Sequence, residues 1–172
     1  GKIISQVVIE LFSPGIINLH PSLLPKYRGP SPIETAILNG DKETGVTIMQ
    51  LTEKMYAGPI YAQKKYRLMP TTVNQLYSYL PHFVNALLIK TLPDILDRSL
   101  QPTPQDGALA TYCHLIKKSD GVIDWRKSAE EIGREIRAYY AWPKSRTTLG
   151  SLEVIIRDAT AVPTGQVSPG KI

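Results

Sequence analysis

A chain of 172 residues, 42% of them apolar and 20% charged, has enough material to bury a core, which excludes a disordered tail, a collagen-like repeat and a disulfide scaffold. Its formal charge of +5 permits an anionic partner without demanding one, and its single cysteine, Cys113, cannot close an internal disulfide, as suits a reducing compartment. No apolar run approaches the roughly 20 residues of a membrane span and the start does not read as a signal peptide, so a soluble, cytoplasmic protein is expected. The opening at Gly1 and the abrupt stop at Ile172 suggest a piece cut from a longer chain.

In chain order, Ile4, Val7, Val8 and Leu11 recur at helical spacing until Ser13-Pro14-Gly15 breaks the pattern. Ile16 to His20 is short, apolar and β-branched, which reads as a buried strand ending in polar residues. Ser31-Pro32-Ile33-Glu34 predicts a helix opened by a capping box, and Asn39-Gly40 predicts its end. Strands are expected at Val46 to Leu51 and Ile60 to Leu68. Thr72 with Gln75 opens a long apolar-faced stretch through Leu96, which Pro81 and Pro93 are expected to divide into two or three helical segments. The polar, Pro-containing stretch 101–108 predicts a linker between a first domain, 1–100, and a second, 109–172. Ser128 with Glu131 caps a further helix, and Gly150-Ser151 turns a hairpin between Thr147 to Leu149 and Leu152 to Arg157.

The densest chemistry lies in Asn18-Leu19-His20-Pro21-Ser22-Leu23-Leu24-Pro25. Residues two apart on a strand face one side, so Asn18 and His20 bring an amide and an imidazole to one place. Together they can stabilise an oxyanion and exchange a proton, or they can simply satisfy backbone groups at a strand end. The two prolines stiffen a loop whose main-chain amides and carbonyls could hold a flat heterocycle or merely cross the core.

The run INLHPSLLPKYRGPSPIE, followed by TGVTIMQLTEKMYAGPIYAQ, resembles the folate-dependent formyltransferases. The later run DGVIDWRKSAEEIGREIRAYYAWP is similar to the start of the second domain of the branch that formylates methionyl-tRNA. The resemblance implies an α/β chain: the C-terminal half of a Rossmann-like, doubly wound formyltransferase domain, then the start of a small, OB-like β-barrel. It implies formyl transfer from 10-formyltetrahydrofolate to the amino group of methionyl-initiator tRNA and implies no metal; the sequence does not reveal the oligomeric state, and a monomer is expected. Asn18 and His20 would serve the oxyanion, Ser22, Leu23, Leu24 and Pro25 the folate.

At the third catalytic position the family pattern has an aspartate where this chain has Tyr56. A carboxylate there would favour the imidazolium of His20, whereas a phenol with an ordinary pKa of about 10 is neutral at pH 7. Impaired catalysis is therefore expected, and nothing in the spacing brings Glu53 to His20 as a substitute. A formyltransferase for an amino sugar nucleotide and a non-catalytic folate- or RNA-binding relative are the alternatives. The basic residues of the second region, Lys117, Lys118, Arg126, Lys127, Arg134, Arg137, Lys144 and Arg146, could meet phosphates, but interspersed acids also fit a solvated face.

Overall fold

The computed structural model describes residues 4–13 and 15–162. In order, the elements are α1 (Gln6–Glu10), β1 (Ile17–His20), α2 (Pro32–Leu38), β2 (Glu43–Gln50), β3 (Ile60–Arg67), α3 (Val73–Leu96), α4 (Ala129–Ala138), β4 (Ser145–Leu149) and β5 (Leu152–Ile156). Strands β1, β2 and β3 form one sheet in that order, and β4 pairs with β5 in a second. All of these pairings are antiparallel.

The alternation in β2 decides how the first sheet is used. Val46 and Ile48 point to one face, where they join Leu87 and Ile95 of α3 in a buried cluster. Thr47 and Met49 point to the other, opposite His20 and Asn18 of β1. One face is thus core and the other carries the polar side chains. Burying each of these aliphatic side chains is worth about 1.5–3 kcal/mol, so α3 fixes the sheet from behind.

Helix α3 runs unbroken through both prolines. That corrects the expected division into segments, and the reason is exposure. Pro81 and Pro93 lie on the outer surface, as do Tyr77 and Ile89 four residues before each, so the carbonyls that lose a donor sit on the wet side of the helix. The start is sealed by the Thr72 and Gln75 capping box, which forms as the sequence suggests. The box expected at Ser31 does not form. Instead, the Ser31 hydroxyl donates to the carbonyl of His114, and Glu34 accepts from the Tyr77 hydroxyl at 3.1 Å.

A second correction concerns α1. Its helical turn is shorter than the apolar spacing implies, and Ile9 is the buried residue while Ile4, Val7, Val8 and Leu11 are exposed. Among the described residues nothing covers that apolar side.

The segment 101–114 is held against the first sheet at Thr103 and against the loop after β1 at Thr111 and Cys113. Thr103 pairs with Ile60 through hydrogen bonds of 2.7 and 2.8 Å, Arg28 N donates to Thr111 O at 2.8 Å, and Cys113 N donates to Arg28 O at 2.9 Å. Beyond it, Ala138 and Tyr139 at the end of α4 pack with Ile33 and Ile37 of α2 and with Leu76. Arg134 adds a 2.8 Å bond to the carbonyl of Leu38. No helix among the described residues is long and apolar enough to cross a membrane.

Candidate active site

The β1–β2 register sets Asn18 opposite Met49 and His20 opposite Thr47, and a bulge between Ile48 and Met49 redirects the chain into the loop that carries Tyr56. Asn18, Met49 and Tyr56 then line one cleft of about 400 Å³, with Glu53, Met55 and Leu115 at its sides. The structure brings Asn18, His20 and Tyr56 together: the Tyr56 ring lies 4.8 Å from the His20 ring, tilted by 45°.

His20 is only 2% exposed, and its Nε2 lies 2.9 Å from the carbonyl of Tyr27. A carbonyl can only accept, so Nε2 carries a proton and, in the neutral ring, Nδ1 is the free basic nitrogen. Burial lowers the His20 pKa below 6.5, and the Tyr27 carbonyl offsets part of that fall. Near neutral pH the ring is therefore a base with one nitrogen committed. Tyr56 adds bulk beside it and, unlike an aspartate, brings no carboxylate.

Asn18 is in a different condition. Its Oδ1 is buried with no hydrogen-bond partner among the described residues. An unmet buried polar atom costs about 1–3 kcal/mol, and one beside an open cleft is the mark of a group that a ligand completes.

Tyr56 holds φ at +56°, the left-handed region, at a cost of about 1–2 kcal/mol for a residue with a Cβ. Gly58 follows at a point where a Cβ would come within 1.9 Å of the carbonyl oxygen of Gln50, so the main chain there can be only glycine. These two constraints fold the loop back toward β1.

The loop after His20 is built differently from what its side chains suggest. The Ser22 hydroxyl donates to the carbonyl of Lys26 at 2.6 Å, and Leu24 is buried. Leu23 lies over Gly45, where a Cβ would meet its Cδ2 at 2.3 Å, and borders another cavity with Lys26 and Arg67. Thus neither the Ser22 hydroxyl nor the Leu23 side chain lines the cleft with Asn18 and Tyr56. Pro25 is half-buried at the loop's turn.

Two residues that the sequence reading missed pin this loop to the sheet. Thr47 Oγ1 donates to Ser22 O at 2.6 Å and accepts from Leu24 N at 3.1 Å, while Gln63 Nε2 donates to Leu24 O and Thr47 Oγ1, both at 2.8 Å. Their only advance signal was polarity at inward positions of β2 and β3. Among the described residues, no group of three or more His, Cys, Asp or Glu side chains could hold a metal ion.

Residues 1–92 match the sequence profile of the formyl transferase family and residues 115–172 that of the formyl transferase C-terminal domain. A methionyl-tRNA formyltransferase of Thermotoga maritima is 40% identical over 173 residues, covering 100% of this chain and 55% of the relative. Among solved structures, HypX of Aquifex aeolicus superposes with a TM-score of 0.81 at 20% identity, over 99% of this chain and 31% of that one. The Helicobacter canadensis N-formyltransferase, solved with folinic acid and dTDP-3-aminofucose, gives a TM-score of 0.68 at 27% identity, over 73% and 47%. This chain spans about half the length of the curated relatives it matches. A profile that covers more than half of the residues, joined to a mixed α/β structure of the same fold, shows that the chain belongs to the formyl transferase family.

Proposed function

We propose that the chain contributes the reacting centre of a methionyl-tRNA formyltransferase, with 10-formyltetrahydrofolate as formyl donor and methionyl-initiator tRNA as acceptor. The observation that carries the reading is the convergence of Asn18, His20 and residue 56; the unmet Asn18 Oδ1 is an acceptor that an N–H of the attacking amine would complete, which leaves Nδ2 as the donor to the oxyanion. Support for the acceptor comes from curated relatives named methionyl-tRNA formyltransferase at 40% identity. A folate donor is supported by neighbours solved with tetrahydrofolate or folinic acid.

In the reaction the acceptor amine bonds to the formyl carbon and the carbonyl oxygen becomes an oxyanion. The bond to the folate N10 then breaks, N10 takes up the proton that the amine gives up, and tetrahydrofolate leaves. Asn18 donates to the oxyanion, and Nδ1 of His20 receives and returns the proton. The stiff Ser22 to Pro25 loop holds the folate through main-chain groups. Residues 1–100 supply this chemistry and 109–172 the contact with RNA, across the segment 101–108. A soluble, cytoplasmic translation enzyme follows from that role.

Tyr56 impairs the reaction. Loss of one acid–base group costs about 10²–10⁴ in rate. The test completes the chain with the portion of the Thermotoga maritima protein that it does not span, and measures formyl transfer with and without Tyr56→Asp. A rise of about 10²-fold or more is expected, and no rise refutes Tyr56 as the lesion. A sugar-nucleotide acceptor, which the Helicobacter canadensis likeness favours, is separated by assaying dTDP-amino sugars beside methionyl-tRNA. Folate binding with no turnover for either acceptor after Tyr56→Asp identifies a non-catalytic binder.

A further inference from the structure

The side chain of Gln105 makes four hydrogen bonds and uses every donor and acceptor its amide has. Oε1 accepts from Arg28 Nε at 3.1 Å and from Arg28 Nη2 at 2.7 Å. Nε2 donates to the carbonyl of Tyr56 at 2.9 Å and to that of Gly58 at 2.7 Å. Both carbonyls lie just after the left-handed turn that the main chain takes at Tyr56.

Arg28 is itself buried, and among the described residues no carboxylate pairs with it. Its main chain is fastened on both sides, to Thr111 and to Cys113. The guanidinium is therefore a fixed post, and it also fixes which end of the Gln105 amide faces which way. The oxygen must face the cation, so the two N–H groups must face the loop carbonyls. None of these bonds involves the side chain at position 56.

We infer that Gln105 is a positioning residue, oriented by Arg28, whose amide donors hold the Tyr56 loop so that the side chain at position 56 is delivered onto His20. This rests on the reading of His20 and position 56 as the reacting centre, but it concerns the backbone and holds whichever residue occupies position 56. A segment that reads as a linker thereby takes part in building the site.

The variant that separates the two halves of the bridge is Gln105→Glu. A carboxylate keeps, and strengthens, the bond to Arg28, but has no proton to give to Tyr56 O and Gly58 O. The chain is studied without substrate by NMR, reading the nuclear Overhauser contact between the Tyr56 and His20 rings and the ring-current shift of the His20 Cε1 proton. Both signals should be lost in Gln105→Glu and in Gln105→Ala, while the thermal midpoint of Gln105→Glu stays near that of the parent. Contact retained in Gln105→Glu overturns the inference, and so does its unfolding, because the amide would then be holding the fold and not the loop. If Gln105→Ala fails to fold, Gln105→Glu decides alone.

A second readout uses the completed chain carrying Tyr56→Asp. There Gln105→Glu should lower kcat by about 10²-fold and leave KM for the folate within about twofold, as a misplaced catalytic group does. Absence of formyl transfer in every variant sinks the proposed function and leaves the ring contact to decide this inference.

Discussion

Burial of His20 has a consequence for stability. Its pKa is lowered in the folded chain, so below about 6.5 the unfolded chain binds the proton that the folded chain refuses. Stability is therefore intact above that value and falls as the pH drops below it. Urea midpoints at pH 7.5 and 5.5 should show this loss, and His20→Gln should reduce the difference; an unchanged difference excludes His20 as its source. The shared face of Asn18 and His20 is legible from spacing because a strand has a period of two, and the β1–β2 register puts their partners Met49 and Thr47 on that face. The position of Tyr56 has no such signal; a family pattern points to it. Gln105 is invisible for a stronger reason: a side chain bonded to backbone carbonyls 47 and 49 residues away leaves no periodicity in sequence.

Among the elements, the long helix shows how a partly correct pattern can carry a wrong expectation. Apolar spacing marks its inner side only in part: Leu76 and Leu87 are buried and Leu80, Val84, Leu88 and Leu92 half-buried, but Leu96 is exposed, and Val73, Thr91 and Ile95 are buried outside that pattern. The prolines predict breaks because a missing N–H and a ring clash are severe in a helix interior, yet sequence alone does not say which carbonyl loses its partner to water and which to the core. Here the helix pays on its exposed side. Pro81→Ala should restore a donor to the Tyr77 carbonyl and stabilise the chain by about 2 kcal/mol, the helix cost of proline less the entropy returned to the unfolded chain. Chemical denaturation measures it, and a lower midpoint would mean that Pro81 is needed for the course of α3. Strand direction was hidden in a related way. Alternation in β2 tells which side chains face inward and is the same whether its neighbours run parallel or antiparallel.

At the scale of the whole molecule, the described residues are sewn together where Tyr27 to Ser31 meet Thr111 to His114. Tyr27 N donates to Thr111 Oγ1 at 2.9 Å, Arg28 exchanges main-chain bonds with Thr111 and Cys113, and the Ser31 hydroxyl donates to His114 O. Gly29 sits in the middle of this seam with φ at +137°, and a Cβ on it would stand 2.2 Å from the carbonyl oxygen of Cys113. That oxygen is backbone and cannot swing aside. The same seam anchors Arg28, and through Arg28 the amide of Gln105 and the loop at Tyr56. Gly29→Ala should therefore cost about 3 kcal/mol or more from strain and overlap together, and should also release the Tyr56 ring from His20. Gly107→Ala is the control, since a Cβ there meets nothing within 4 Å and should change stability by less than about 0.5 kcal/mol. Denaturation curves read the first effect and the ring contact reads the second. A Gly29→Ala chain as stable as the Gly107→Ala chain would show that the seam can open without cost, and the site would then owe its geometry to the sheet alone.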